Sequence, residues 1–281
     1  MLLARASGRI GSESDARRMV ERAAGADGSE LFSVLDEPAP AVAVAHLEAM
    51  VERRRAGEPL QYVVGRWGFR SLDLLVDPRV LIPRPETEQV VEVALGEVAR
   101  LRAHQPGPAV TAADLGTGSG AIALSLAAEA PGIQVWATDL SEEALAVARA
   151  NLAGLGGWAA TRVTLAAGSW FDALPGRLRG GIDLIVANPP YVSEGEVPAL
   201  PPEVACWEPR GALVAGPTGL EAVAAILKGA PAWLGEPGTA VIEVAPHQAD
   251  AAAARARSEG FGEVEVRPDL ARRLRVLVAR R

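Results

Sequence analysis

The sequence predicts an α/β fold: a seven-stranded, mostly parallel sheet preceded by a small helical domain and a β-hairpin linker. Three observations carry this reading. Ile182-Asp183-Leu184-Ile185-Val186-Ala187 is an apolar run of the kind that fills a parallel strand buried on both faces. Val110-Thr111-Ala112-Ala113-Asp114-Leu115 is a second strand-like run, followed at once by Gly116-Thr117-Gly118-Ser119-Gly120 and a helical stretch from Ala121 to about Glu129. Strand-like and helix-like segments then alternate to the C-terminus, as in a chain of βα units.

In chain order, residues from about Ser14 to Ala56 carry helical patterning. Ser14-Asp15 before Met19, Val20 and Ala23 suggests a capped amphipathic helix. Ser29 to Phe32 and Ala41 to Arg55 suggest two more, with Asp36-Glu37-Pro38-Ala39-Pro40 as a loop. Phe69 to Ile82 alternates toward strand, with a turn at Asp77-Pro78. Thr87 to about Arg102 reads as a helix. The next strands are Val110–Leu115, Ile133–Thr138, Val163–Ala167 and Ile182–Ala187. Ser141 is placed to cap a helix whose first turn holds Glu142 and Glu143. Gly219 to Leu234 is expected to be helical, Thr239 to Val244 a strand and Gln248 to Ser258 a helix. Glu263–Val266 and Leu274–Ala279 close the sheet as a hairpin pair, one strand antiparallel. The expected division is a helical domain over 1–66, a hairpin linker over 67–84 and the sheet domain over 85–281.

Composition excludes several classes. The apolar share of 49% suffices for a globular core, and no run approaches the ~20 apolar residues of a membrane span. The N-terminus lacks the apolar stretch of a signal peptide. Cys206 is the single cysteine; it reads as a small buried group in a chain suited to a reducing cytoplasm. His46, His104 and His247 are scattered and show no metal spacing. His46 and His104 read as surface residues, and His247, at a strand end, as a candidate to approach the site. The net charge of −7 argues against a protein that grips duplex DNA. Arg53-Arg54-Arg55 with Arg66 and Arg70 reads as a solvated helix end, with a local basic patch as the alternative.

Two motifs carry chemistry. Asn188-Pro189-Pro190-Tyr191 stands at the carboxyl end of a strand, where open α/β sheets place ligands. The Asn188 side-chain carbonyl can accept one N–H of a planar amino group. A backbone carbonyl in the Pro pair can accept the second, and Tyr191 offers a flat face for stacking. Two acceptors aimed at one amino group suit methylation of an amide or an exocyclic amine. The same residues also fit a plain turn ending the strand. The second motif is the glycine loop from Gly116 to Gly120 with Asp139, which ends a strand about twenty residues later and can accept from ribose hydroxyls. A dinucleotide and S-adenosylmethionine both fit such a pair. The spacing is Gly-x-Gly-x-Gly, not the dinucleotide Gly-x-Gly-x-x-Gly, and Asp114 would repel a pyrophosphate but could meet the ammonium of a methionine moiety. Gly168-Ser169-Trp170-Phe171 follows a third strand, and its aromatics suit either an adenine contact or the core.

Asp114 to Gly120, Asp139 and Asn188 to Tyr191 together resemble the class I S-adenosylmethionine-dependent methyltransferases that act on a planar amino group. Val80-Leu81-Ile82-Pro83-Arg84-Pro85-Glu86-Thr87-Glu88, with Glu58 to Gly65, Trp207 to Leu213 and Asp269 to Arg272, narrows the resemblance to the bacterial peptide chain release factor N5-glutamine methyltransferases. The resemblance implies a Rossmann-like methyltransferase sheet. It implies methylation of the glutamine amide in the Gly-Gly-Gln loop of class 1 release factors, with S-adenosylmethionine as methyl donor, S-adenosylhomocysteine as product and no metal. Gly116, Thr117, Gly118, Ser119 and Gly120 would line the cofactor, with Asp114, Ser169 and Trp170 beside it. Asp139 would hold its ribose. Asn188 and Pro189 would bind the glutamine amide, with Pro190 and Tyr191 shaping the pocket. The N-terminal helices would recognise the protein substrate; the enzyme is expected to be a cytoplasmic monomer. An acidic residue is expected before Trp170, and this chain has Ser169. Glutamine methylation of a ribosomal protein, amino-methylation of DNA, a nicotinamide oxidoreductase and a non-catalytic module are the competing readings.

Overall fold

The computed structural model describes residues 1–26, 28–34, 38–104 and 109–281. The chain divides into two compact units, Met1–Trp67 with Leu200–Trp207, and Gly68–Ala199 with Glu208–Arg281. The first unit begins with α1 (Leu2–Ile10), α2 (Glu13–Ala24), α3 (Glu30–Val34), α4 (Ala41–Arg55) and α5 (Leu60–Val64). Ala6, Met19, Leu47, Met50 and Val63 are nearly inaccessible and form its core. The α1 helix was not expected. Its signal is the stripe Leu2, Leu3, Ala6 and Ile10, which packs on that core. The cap of α2 is Ser12, two residues earlier than expected; its hydroxyl accepts from Asp15 N at 3.2 Å. Residues 36 and 37 of the expected loop lie outside the described residues.

The chain then forms a short hairpin, β1 (Arg66–Phe69) with β2 (Leu72–Leu75). The strand expected to run on to Ile82 stops at Leu75. Val76, Val80 and Ile82 are buried by packing without strand pairing, because Pro78, Pro83 and Pro85 remove ladder donors. The second unit continues with α6 (Pro85–His104), β3 (Thr111–Leu115), α7 (Ala121–Glu129), β4 (Gln134–Asp139), α8 (Glu142–Leu155), α9 (Gly157–Ala160), β5 (Val163–Ala167), β6 (Ile182–Ala187) and β7 (Val192–Ser193). After α10 (Pro202–Trp207), which belongs to the first unit, come α11 (Arg210–Leu213), β8 (Val214–Gly216), α12 (Glu221–Gly229), β9 (Leu234–Glu243), α13 (Ala249–Ser258), β10 (Glu263–Pro268) and β11 (Leu274–Arg280).

Seven strands form one sheet in the order β10-β11-β9-β6-β3-β4-β5. All neighbours from β9 to β5 are parallel, and β11 runs antiparallel to both β9 and β10. Register aligns Ala113, Ile185, Ala240 and Ala279 in one row across four strands, and all four belong to the core cluster that α12 and α13 cover. Small residues in that row let the helices sit close to the sheet. The α12 helix ends at Gly229, short of the expected Leu234, because Pro231 forces a tight turn; β9 then starts early, at Leu234. Among the described residues no helix is long and apolar enough to cross a membrane.

Candidate active site

The site follows from strand order. The chain starts the parallel sheet at β3, moves outward to β4 and β5, then returns to β6 on the other side of β3. Order reverses between β3 and β6, and a crevice opens beyond the carboxyl ends of such strands. The glycine loop leaves β3 and Asn188 leaves β6, so the reversal brings the two motifs together. They share a cavity of about 440 Å³ whose walls include Gly116, Thr117, Gly118, Ser119, Asp139, Ser169, Trp170, Asn188 and Pro190. That is the size of a small-molecule site.

The loop is held from behind. Gly116 N and Thr117 N both donate to Thr138 O, at 2.8 and 2.9 Å. Gly116 has φ +78, which favours glycine, and a Cβ there would lie 3.3 Å from the Trp170 ring, a tight contact. Trp170 itself has φ +44, an uncommon conformation for a bulky residue and one that collects at functional sites. Asp139 accepts from Gly118 N at 2.8 Å through one carboxylate oxygen and from Ser141 N at 2.9 Å through the other. Burial pushes its pKa up, against these bonds. Each oxygen keeps capacity for one further donor.

At the other wall, Asn188 Nδ2 donates to Thr87 Oγ1 at 3.0 Å, and Thr87 Oγ1 donates to Glu243 Oε2 at 2.7 Å. Asn188 Oδ1 is buried and has no partner among the described residues. The asparagine therefore leaves an acceptor for an incoming N–H. Glu243 is wholly inaccessible, and burial pushes its carboxyl up to about 7; Thr87, Arg275 and Arg84 oppose the shift, and Glu86 adds to it.

Four expected site residues are not walls of the cavity. Asp114 is completely inaccessible; its Oδ2 accepts from Thr117 Oγ1 at 2.6 Å and Ala123 N at 3.1 Å, so it braces the loop from beneath, while Oδ1 has no partner among the described residues. Burial pushes its carboxyl up to about 7. Gly120 caps α7, and Pro189 is buried. The Tyr191 ring faces the Arg275 guanidinium, 5.9 Å from its centroid, and its carbonyl accepts from Gln248 Nε2 at 2.9 Å. Burial raises its phenol to about 12, so it stays protonated. Phe171 turns into the core and stacks on Trp233.

Elsewhere, His46, His104 and His247 are exposed and none lines the cavity. Cys206, expected to be buried, is exposed on α10. Of the arginines in the alternative basic patch, Arg53 pairs with Glu58, Arg54 with Asp15 and Glu203, Arg55 with Glu52, and Arg70 with Glu92 and Glu129. Asp269 accepts from Arg273, which bridges to Glu86, so that segment is structural.

Sequence reasoning gave no role to Thr87, Glu243 or Asn151. Glu243 had a signal, a carboxylate inside the apolar run Ala240 to Val244. Thr87 stood in the Pro83 to Glu88 segment without a partner to suggest its part. Asn151, on the inner face of α8, donates to Ser119 O at 2.8 Å and pairs with both backbone groups of Leu75. Leu140, largely exposed on the cavity rim beside Asp139, offers an apolar face.

The first part of the chain, residues 3–65, matches the family model described as PrmC N-terminal domain, and residues 98–200 match that of the methyltransferase small domain. A release factor glutamine methyltransferase of Cereibacter sphaeroides is 42% identical over 266 residues, covering 95% of this chain and 90% of that protein. One of Moorella thermoacetica is 44% identical over 247 residues, covering 88% and 83%. Among solved structures, a methyltransferase from Pyrococcus furiosus superposes with a TM-score of 0.53 at 18% identity, covering 81% of this chain and 98% of that one, a likeness of fold.

Proposed function

The chain belongs to the release factor glutamine methyltransferase family, and from that premise we propose that it methylates the N5 amide of the glutamine in the Gly-Gly-Gln loop of class 1 release factors, using S-adenosylmethionine. The observation that carries the chemistry is Asn188 Oδ1, a buried acceptor at the cavity wall without a partner among the described residues.

The cavity fits the proposed cofactor. Asp139 has acceptor capacity for the two ribose hydroxyls, and Trp170 and Leu140 offer apolar faces to the adenine. Ser169, where a carboxylate was expected, leaves a hydroxyl to meet the adenine amino group. The cofactor supplies an electrophilic methyl on a positively charged sulfur. An amide nitrogen is a weak nucleophile because its lone pair is delocalised into the carbonyl. Asn188 Oδ1 and a backbone carbonyl of the Pro189–Pro190 pair would accept its two N–H groups, raising electron density on nitrogen and aiming the lone pair. Positioning supplies most of the gain, up to about 7–11 kcal/mol in well-oriented systems. The proton leaves after transfer, so no charged base is required beside the amide.

The first helical unit recognises the release factor in this reading, and the protein acts as a cytoplasmic monomer on protein, not on DNA. The net charge of −7 and the paired arginines support the exclusion of DNA. The test is methyl-labelled S-adenosylmethionine offered with a class 1 release factor, ribosomal proteins and duplex DNA in parallel. Label on the release factor alone is expected. Label on a ribosomal protein or on DNA instead would overturn the substrate.

A further inference from the structure

We propose that Thr87 and Glu243 are positioning residues that set the polarity of Asn188, and so select a substrate group that donates N–H; this rests on the reading of Asn188 as the amide acceptor. An asparagine side chain is nearly symmetric, with an acceptor on one side and a donor on the other. Facing a substrate NH2 with its own NH2 would place donor against donor. Something must fix which end faces the cavity.

The fixing runs through two hydrogen bonds. Glu243, when ionised, only accepts. It takes the single hydroxyl hydrogen of Thr87 at 2.7 Å. Thr87 Oγ1 then has only lone pairs to offer Asn188, and takes a hydrogen from Nδ2 at 3.0 Å. Asn188 Oδ1 is left over, buried and without a partner among the described residues. Without the carboxylate, the Thr87 hydroxyl could turn and donate to Asn188 Oδ1, presenting Nδ2 to the cavity. That geometry would suit a carbonyl or carboxylate ligand and reject an amide NH2.

The surroundings suit this role. Glu243 ends the interior strand β9, Thr87 lies in the first turn of α6, and Asn188 follows β6. These are regular elements that hold the three groups rigidly. Glu243 is wholly inaccessible, and Thr87 is 4% exposed. Burying a carboxylate this deeply costs free energy. Its second oxygen has no partner among the described residues, so the bond to Thr87 is the contact that uses it. Burial pushes the Glu243 carboxyl up to about 7; of the charged groups acting on it, Arg275 and Arg84 favour the ionised form and Glu86 opposes it, so the relay is set above that pH.

The test compares Thr87→Val, which keeps the shape and removes the hydroxyl, with Thr87→Ser, which restores it. Turnover on the release factor, KM for each substrate, cofactor affinity by calorimetry and melting temperature are measured for both. Thr87→Val is expected to lower kcat by about ten- to a hundredfold, the cost of one misdirected buried hydrogen bond. Cofactor affinity and melting temperature should change little, and Thr87→Ser should recover most of the turnover. Wild-type kcat in Thr87→Val, or a loss shared by kcat, cofactor affinity and stability and not recovered in Thr87→Ser, would overturn the proposal. A second readout does not depend on the substrate: hydrogen exchange of the Asn188 side-chain amide by NMR. It should be slow in the wild type and fast in Thr87→Val. If the wild type transfers no methyl to a release factor, the function fails, yet this exchange still decides the relay, with equal rates in the two proteins contradicting it.

Discussion

Individual residues divide into those that face the cavity and those that hold them. Asn188 faces it, and Asn188→Ala should lower kcat by about a hundredfold or more, as loss of one preorganised charge-stabilising contact does elsewhere. Cofactor affinity should be unchanged by calorimetry; equal losses in turnover and affinity would contradict the assignment. Asp139 shows the opposite split. Asp139→Asn should weaken cofactor binding about tenfold or more, because hydrogen bonds to a charged acceptor are worth roughly 1.5–3 kcal/mol, with a smaller effect on the rate at saturating cofactor. At this scale the placement of Asn188, Asp139, Gly116 and Gly118 at the cavity was legible in the sequence because each sits at or just beyond the end of a strand-like run. Asp114 was misread as a wall of the cavity. Its neighbours in sequence place it at the mouth of the loop, but only the fold shows its carboxylate turned back onto Thr117 and Ala123.

At the level of elements, what positions the site is contact between segments far apart in the chain. Thr87 meets Glu243 156 residues away, and Asn188 meets Thr87 101 residues away. No local pattern announces such pairs, which is why strands and the glycine loop were legible and the relay was not. Element ends were legible where a cap marks them, as at Ser141, and were misplaced where two caps compete, as with Ser12 and Ser14, or where a proline's effect was underestimated, as at Pro78 and Pro231. The loop carrying Tyr191 depends on Gly219, at φ +80, where a Cβ would fall 2.5 Å from both Tyr191 O and Gln248 Nε2. Gly219→Ala should therefore cost about 2–3 kcal/mol in denaturant unfolding and lower turnover as Tyr191 shifts. The sheet edge is fixed differently. Arg280 on β11 meets Glu97 on α6 through two hydrogen bonds of 2.5 and 2.9 Å. Removing it in Arg280→Ala leaves Glu97 buried and only partly compensated, with an expected loss of about 3 kcal/mol.

For the molecule as a whole, three buried carboxyls set an unusual dependence of stability on pH. Arg280 and Arg100 outweigh burial and hold Glu97 down at about 2, so its contribution is present above 4.5 and is lost as the pH falls toward 2. Burial lifts Glu243 from 4.5, and Asp114 from 3.8, to about 7. Across those windows the folded protein holds more protons than the unfolded chain, so stability falls as the pH rises toward 7. The melting temperature should drop from about pH 5 to about pH 7, and the drop should shrink in Glu243→Gln. An identical drop in that variant would mean that Glu243 is ionised without penalty. The seven-strand sheet was legible because parallel strands buried on both faces read as apolar runs. The α1 helix was missed because it is only nine residues long, although Leu2, Leu3, Ala6 and Ile10 line one face. The chemistry converges on one group, the amide nitrogen of a single glutamine, and the most direct measurement asks where the methyl goes. A class 1 release factor treated with the protein and methyl-labelled S-adenosylmethionine would be digested, its labelled peptide fragmented, and the label tested for release as methylamine on acid hydrolysis. The expected result is label confined to the Gly-Gly-Gln glutamine and recovered as methylamine. Label on another residue, or label that does not leave as methylamine, would contradict transfer to the glutamine amide.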